Sequence, residues 1–417
     1  MNEIVNPVFT EEMKREYTIL VPTMLPMHFK IMENILRSYG YNAVLLDNTG
    51  HSVKECGLKY VHNDTCYPAL LVIGQLLEAV TSGKYDPNKV ALLISQTGGG
   101  CRASNYIALL RKALQKAGYG HIPVLSFNVS GLEAQPGWKI TPPMLQRLLY
   151  AVLYGDLLML LRNQCRPYEI NQGEAQALAD KWVTRLTDEM ADHRIKYSQV
   201  KANYKAILND FAKIQLRDEE RVRVGIVGEI FVKFSPLGNN ELEEFLFQEG
   251  AEVVMPGLYD FCLYCVYNNV MDGKLYGMNK MKAFGAKMIF NFLVKKHKDL
   301  IDIIAKHGVF RGPTDFGHTI SLTKGYVGIG AKMGEGWLLT AEMLELIDEG
   351  VDNIICTQPF GCLPNHIVGK GMMKPIKERH PGVNIVAVDY DPGATKINQE
   401  NRIKLMLANA VAVPRSA

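Results

Sequence analysis

The feature that most constrains the fold is a repeated alternation between short apolar runs and segments with helical periodicity. In the first third of the chain, the apolar runs predicted as strands are 17–21, 43–46, 90–94 and 123–128. The segments predicted as helices between them are 27–39, 68–80 and 104–117. Strands that alternate with helices predict a parallel sheet covered by helices on both faces.

A second alternating block begins after a helical middle section that covers 141–162 and 174–216. Its predicted strands are 222–227, 252–255, 353–355 and 384–389, and its predicted helices include 241–248, 260–296, 342–349, 368–379 and 396–410. The sequence therefore predicts an α/β protein with two Rossmann-like lobes joined by a helical section. The expected boundaries are an N-terminal α/β lobe at 1–140, a helical connector at 141–220 and a C-terminal α/β lobe at 221–417.

Composition narrows the classes of function. The chain has 417 residues, of which 47% are hydrophobic and 21% charged, as in ordinary soluble proteins. A net charge of +3 gives no reason to expect a nucleic-acid or membrane-surface partner. The longest apolar run, 149–161, contains Asp156 and is too short to span a bilayer, and the N-terminus has no signal-peptide core. We expect a cytoplasmic protein.

The positions of the cysteines point to a site. Six of the eight cysteines lie near predicted strand ends or helix starts, namely Cys66, Cys101, Cys262, Cys265, Cys356 and Cys362. In open α/β sheets, ligands bind outside the carboxyl ends of the strands. Helix N-termini there offer N–H groups that lower the pKa of a thiol and donate to cluster sulfides. Glycines at 98, 99 and 100, before Cys101, let the backbone approach a bulky cofactor.

Spacing alone does not decide what these thiols bind. Five residues separate Cys356 from Cys362, and the closely spaced pair Cys262 and Cys265 has no second pair nearby. Plain buried cysteines and a metal site both remain open from the residues. Zinc favours two tight pairs, so dispersed ligands suit an iron–sulfur cluster better.

Other polar residues near the same strand ends have two interpretations each, one functional and one structural. Glu229 follows a predicted strand and is either a general acid or base or a helix cap. His366 is either a proton donor or iron ligand beside a cluster or a surface residue. Ser104 either donates to a cluster sulfide or caps a helix. The glycines at 225 and 228 lack the third glycine of a dinucleotide-binding loop.

At these residues the sequence resembles the 2-hydroxyacyl-CoA dehydratase superfamily, in particular the dehydratase-like part of acyl-CoA dehydratase activase-related proteins. The stretches that carry the resemblance cover most of the chain. They are GLKYVHNDTCYPALLVIGQ (57–75), ISQTGGGCRASNY (94–106), RPYE (166–169), VGIVGEIFVKF (224–234), CTQPFGCLPNHIVGKGM (356–372) and AVDYDPGATKINQENRIKLML (387–407).

The resemblance implies an iron–sulfur cluster in the cleft between the lobes. In the dehydratases three cysteines hold a four-iron cluster; Cys66 and Cys101 match the first two, and Cys356 or Cys362 the third. A related branch carries a double-cubane 8Fe-9S cluster with more ligands, and the extra cysteines place this chain closer to that branch. The ligands then implied are Cys66, Cys101, Cys265, Cys356 and Cys362, with Cys262 or Cys56 as a sixth. Gly99, Gly100 and Ser104 would line the cofactor, whereas Cys165 is expected to be a plain buried residue.

The resemblance also implies an enzyme. In the family, an ATP-hydrolysing activase supplies one low-potential electron, and the dehydratase forms a ketyl radical on the thioester carbonyl and expels the 2-hydroxyl group. Double-cubane relatives reduce small molecules with the same electron supply. This sequence shows no nucleotide-binding motif, so a separate activase and a homodimer are expected. The alternatives are a non-catalytic electron-transfer or scaffold module with a four-iron cluster, and a Rossmann-type nucleotide binder with structural thiols.

Overall fold

The computed structural model describes residues 7–62, 65–96, 100–127, 135–277 and 279–414. Within them the chain forms two parallel four-stranded sheets. The elements up to the end of the first sheet are α1 (Glu11–Glu16), β1 (Thr18–Val21), α2 (Pro26–Ser38), β2 (Asn42–Leu45), α3 (His51–Tyr60), α4 (Tyr67–Thr81), β3 (Val90–Ser95), α5 (Tyr106–Ala117) and β4 (Val124–Phe127). All three pairings in this sheet are parallel.

Three long helices separate the two sheets in the chain: α6 (Pro142–Cys165), α7 (Glu174–Ala191) and α8 (Tyr197–Phe211). The remaining elements are β5 (Glu220–Arg221), β6 (Arg223–Gly228), α9 (Ile230–Phe234), α10 (Pro236–Asn239), α11 (Leu242–Gln248), β7 (Glu252–Val254), α12 (Leu258–Leu275), α13 (Lys280–His307), α14 (Phe316–Leu322), α15 (Trp337–Asp348), β8 (Asn353–Pro359), α16 (Met373–Arg379), β9 (Asn384–Tyr390), α17 (Lys396–Leu407) and β10 (Val413–Pro414). The short strands β5 and β10 pair with each other in antiparallel fashion.

The two large sheets share one topology. Their strand orders are β2-β1-β3-β4 and β7-β6-β8-β9, so each sheet reverses its winding direction between its first and third strands. The predicted α/β class with parallel sheets is confirmed. Carboxyl ends of strands beside such a reversal are where doubly wound sheets bind ligands. Cys101 follows β3, Glu229 follows β6 and Cys362 follows β8, so all three lie just beyond such strands.

The core is continuous across the helical middle section. One cluster of buried side chains joins β1 and α2 to α6, α7, α8 and α12. A second cluster contains side chains from both sheets, among them Leu92 of β3 and Ile226 of β6. The two sheets are therefore packed into a common structure rather than joined only through the chain.

By length and composition α6 could cross a membrane, which the shorter apolar run in the sequence did not suggest. However, 72% of its most apolar window is buried against other parts of the protein. Its neighbours include α2, α7, α8 and α12. This degree of burial is typical of a core helix in a soluble protein.

Two local differences from the sequence prediction affect the site. Strand β8 continues to Pro359 and does not end at Ile355, because it pairs with β9 as far as Pro359 and with β6 as far as Thr357. Cys356 therefore lies inside the strand and not after it. The region before Cys66 contains helix α3, which went unpredicted because Gly57 interrupts its helical pattern.

The carboxylate of Asp156 fastens α6 to two other helices. It accepts the backbone N–H groups of Leu258 and Tyr259 at 2.9 and 2.8 Å, and it lies 2.8 Å from Nε2 of the buried His28. We expect Asp156→Ala to lower the free energy of unfolding by about 3 kcal/mol, since it leaves several buried donors unpaired. Urea unfolding measures this, and Asp156→Asn, which keeps one acceptor, should lose less. Equal stability of Asp156→Ala and the wild type would contradict the assignment.

Candidate metal centre

Cys66 is the N-cap residue of α4 and is 5% exposed. Its Sγ lies 3.1 Å from the hydroxyl oxygen of Tyr106, the first residue of α5. Burial raises the pKa of the Cys66 thiol, while the Tyr106 hydroxyl and the backbone N–H of Ala69 lower it. Tyr106 is thus a direct hydrogen-bond partner of this sulfur, in a bond that either atom can donate.

Cys101 is reached through the loop after β3 and caps a 3₁₀ turn, Arg102–Asn105. Burial raises its pKa to about 11, the N–H of Ala103 lowers it, and nearby Glu335 and Cys66 raise it further. Cys101 and Cys66 are therefore neighbours, although 34 sequence positions separate them.

Cys362 follows strand β8 of the second sheet and lies close to Cys66. The turn after β8 lies against α4, because the N–H of Tyr67 donates to the carbonyl of Phe360 at 2.9 Å. Gly361, with φ +73°, makes this approach possible: a Cβ on it would lie 3.0 Å from Cα of Cys66. Burial raises the pKa of Cys362, and the acidic neighbours Glu335, Glu229 and Cys66 raise it further.

These three thiols share one local arrangement. Each lies just before a helical turn, and a backbone N–H two or three residues later, from Ala69, Ala103 and Asn365 respectively, lowers the pKa of the thiol. N–H groups at helix starts favour the thiolate form that binds metals. The predicted association of cysteines with helix starts is confirmed for these three, and Cys66 is the neighbour common to the other two.

Two buried carboxyl groups adjoin the thiols. Glu229 caps α9, and its Oε2 accepts the N–H of Val232 at 2.9 Å. Oε1 of Glu335 accepts the N–H of Ile230 at 3.0 Å. Burial, and then the charge of Glu335, raise the pKa of Glu229 to about 8. The structure confirms that Glu229 caps a helix, and a role as general acid or base stays a prediction.

The raised pKa of Glu229 predicts a pH dependence in the iron-free protein. Between pH 4.5 and about 8 the folded state keeps a proton that the unfolded state releases, so stability falls as the pH rises. Across that window we expect the wild type to lose about 2–4 kcal/mol more than Glu229→Gln, which cannot ionise. Urea unfolding at a series of pH values measures the difference. Parallel pH profiles would show that Glu229 titrates normally.

The structure does not bring Cys356 into this group. It is fully buried within β8, and its Sγ lies 3.5 Å from Oδ1 of Asn365. Burial raises its pKa to about 12, and the charged groups that act on it are Lys370, Glu342 and Asp389 rather than another cysteine. Of the two positions proposed for the third ligand, Cys362 is the one placed beside Cys66.

The remaining four cysteines lie in three helices, α3, α6 and α12. Cys265 is exposed on α12, within electrostatic reach of Glu335, and Cys262 lies one turn before it. Cys56 is in α3, where the nearest charged groups are Glu78 and Lys59. Cys165, the last residue of α6, is fully buried in the apolar core, as expected from the sequence.

The other predicted residues have local partners. The Ser104 hydroxyl donates to the carbonyl of Cys101 at 2.7 Å, which fixes the turn that carries the thiol. The N–H of Gly100 lies 3.0 Å from Sδ of Met333, and Gly99 lies outside the described residues. His366 is exposed, and its Nδ1 lies 2.7 Å from the carbonyl oxygen of Cys362. These contacts hold the turns that carry Cys101 and Cys362. The catalytic role of His366 stays a prediction.

Thiols are the usual ligands of iron–sulfur clusters, so the residue types near Cys66 are compatible with such a cluster. Among the residues that the structure describes, no three His, Cys, Asp or Glu side chains are grouped closely enough to hold one metal ion. A zinc site needs four ligands at about 2–2.3 Å from one atom. In a cluster each cysteine binds a different iron, so the thiols lie further apart. Cys66 with its two neighbours Cys101 and Cys362 suits that arrangement.

Two residues close to the thiols and to Glu229 could not be predicted from the sequence. Tyr106 follows Cys101 by five residues and its hydroxyl reaches Cys66, but a tyrosine at a helix start carries no sequence signal. Glu335 lies in the glycine-rich segment 328–336, far from any cysteine in sequence. Its burial beside Glu229 depends on how this segment folds over the end of β6, which periodicity does not predict.

Comparison with known proteins adds no family assignment. No protein-family model matches the chain, and no curated protein matches it significantly. The observations that bear on function are the geometry of the site and the sequence resemblance to the dehydratases.

Proposed function

We propose that this protein is a cytoplasmic iron–sulfur reductase of the 2-hydroxyacyl-CoA dehydratase type. It would receive low-potential electrons from an ATP-hydrolysing activase and reduce an acyl-CoA thioester or another small molecule. The observation that carries the proposal is the approach of the turn before Cys362 to Cys66, with Cys101 within electrostatic reach of Cys66. All eight cysteines are free thiols, which is consistent with a reducing compartment.

In this proposal Cys66, Cys101 and Cys362 hold the cluster in a cleft between the two lobes. When bound, the cluster supplies one-electron chemistry at low potential. A bound metal keeps coordinating thiols deprotonated, so the raised pKa values of the three thiols describe only the metal-free protein. Cys265, on the exposed face of α12, is the candidate for an additional ligand if the cluster is a double cubane.

The protein's own residues would supply positioning and protons. The Tyr106 hydroxyl and the capping N–H groups stabilise negative charge on the cysteine sulfurs. Glu229 is a buried carboxyl with a pKa of about 8, so it can donate a proton at neutral pH to a group that gains negative charge on reduction. Burial of Glu229 and Glu335 keeps bulk water from competing for that proton.

The test is ATP-dependent electron uptake. Anoxic protein, reconstituted with iron and sulfide, is mixed with a reduced activase and either ATP or ADP, and the electron paramagnetic resonance spectrum is recorded. We expect a reduced-cluster signal only with ATP, and turnover when a suitable acyl-CoA thioester or small reducible molecule is added. Full reduction by dithionite alone, without activase or ATP, would contradict the low-potential role and favour an ordinary electron carrier.

A further inference from the structure

We propose that the N-terminal half of α13 is a dimer interface, on which the same helix of a second copy packs in antiparallel orientation. This inference is independent of the proposed cluster. Five large apolar side chains are exposed along this half-helix: Met281 (82%), Phe284 (65%), Met288 (61%), Ile289 (55%) and Phe292 (41%). Their spacing of three, four, one and three residues places them on one face of the helix.

The exposed area is of the size that an interface needs. With roughly 200 Å² for each large side chain, the five exposed fractions leave about 600 Å² of apolar surface. That value lies at the upper end of the largest apolar patch on ordinary monomers. A symmetric pair would bury about 1,200 Å² from these side chains alone, before the rim is counted, against roughly 1,200–2,000 Å² in stable interfaces.

The order of residues along the stripe matches itself when reversed. A twofold axis between positions 286 and 287 of an antiparallel pair sets Met281 level with the partner's Phe292, and Phe284 level with the partner's Ile289. The same axis sets Gly285 level with the partner's Met288. A Cβ on Gly285 would meet nothing within 4 Å in the single chain, so this mid-helix glycine packs against nothing there. In the pair it leaves room for the methionine.

The flanking charges are compatible with this register. No aspartate or glutamate occurs between positions 273 and 298, and lysines border the stripe on both sides. Lys282 would lie level with the partner's Asn291. The two Lys287 residues would lie only about 1.5 Å apart along the axis, but each is about 120° around its helix from the centre of the stripe and so points away from the partner. Lysine stems also cover apolar surface while their charged ends reach water. Residual repulsion at the rim is screened by salt, so the dimer should hold or tighten as salt increases.

Sedimentation equilibrium of the full chain tests the proposal. We expect a mass twice that of the 46.7 kDa chain at micromolar concentration, in both low and high salt. Met288→Lys should raise the dissociation constant at least 100-fold, whereas Leu405→Lys, at a residue 68% exposed on α17, should not change it. Because Met288 is exposed in the single chain, its substitution should leave the fold intact, which circular dichroism checks.

Cysteine cross-linking tests the register. Met281→Cys and Phe292→Cys variants should form a disulfide-linked dimer when mixed and oxidised, but neither should do so alone, since its own copies lie about 16 Å apart along the axis. The wild type gives the background from native cysteines. A monomer at tens of micromolar, or a dimer unaffected by Met288→Lys, would overturn the proposal. A monomer that binds phosphatidylserine vesicles through this stripe, and releases them in high salt, would assign the face to a membrane instead.

Discussion

Replacing Cys362 by alanine is expected to abolish iron binding, whereas replacing Cys356 by alanine should leave it nearly unchanged. The sequence alone could not choose between these two cysteines, which lie six positions apart. Of these two cysteines, Cys362 is the one within electrostatic reach of Cys66 in the structure. Cys356 lies inside β8, so its loss should cost about 1 kcal/mol of stability through a small cavity but should not remove a ligand.

Iron and acid-labile sulfide per chain, measured after anoxic reconstitution, distinguish the two variants. Cys165→Ala serves as the control for general damage, because Cys165 is buried in the core away from the site. Loss of iron in Cys356→Ala with retention in Cys362→Ala would reverse the ligand assignment. It would also require β8 to open around Cys356 when the metal binds.

A single methyl group at Gly361 should disrupt the same site without touching a cysteine. In Gly361→Ala the new Cβ would lie 3.0 Å from both Cα of Cys66 and the carbonyl oxygen of Thr65, so the Cys362 turn must move away from α4. We expect a loss of about 2–4 kcal/mol in stability, the sum of backbone strain and overpacking. We also expect at least a tenfold drop in iron content.

Gly350 provides a matched control for the backbone part of this effect. It has the same φ of +73°, but a Cβ on it would meet nothing within 4 Å. Gly350→Ala should therefore cost only about 1 kcal/mol and keep its iron. If the two variants were equally stable and bound equal iron, the approach of the Cys362 turn to Cys66 would not matter for the site.

The sequence predicted the fold better than the site. Buried strands such as β3 and β6 are short apolar runs bounded by polar or glycine residues, and their carboxyl ends could be located within one or two positions. For this reason the sequence correctly places Cys101 and Glu229 beyond the carboxyl ends of β3 and β6. Strand β8 extends beyond the apolar run that ends at Ile355, and its length follows from pairing with β9 as far as Pro359 and with β6 as far as Thr357.

Contacts between distant segments could not be predicted in this way. The hydroxyl of Tyr106 reaches Cys66 because α5 and α4 pack together, and Glu335 meets Glu229 through the segment before α15. Both depend on tertiary packing and not on local periodicity. The exposed stripe of α13 was likewise not predictable, and the sequence indicates only a helix there. Periodicity shows that a helix is amphipathic, but it does not show which face remains uncovered.

Metal analysis of the anoxically purified and reconstituted wild type tests the central claim most directly. If Cys66, Cys101 and Cys362 together hold an iron–sulfur cluster, the protein will be brown and contain about four or eight irons per chain, with a matching amount of sulfide. Its reduced form will give an electron paramagnetic resonance signal that Cys66→Ala lacks. Colourless protein without iron, prepared under the same anoxic conditions, would contradict the account.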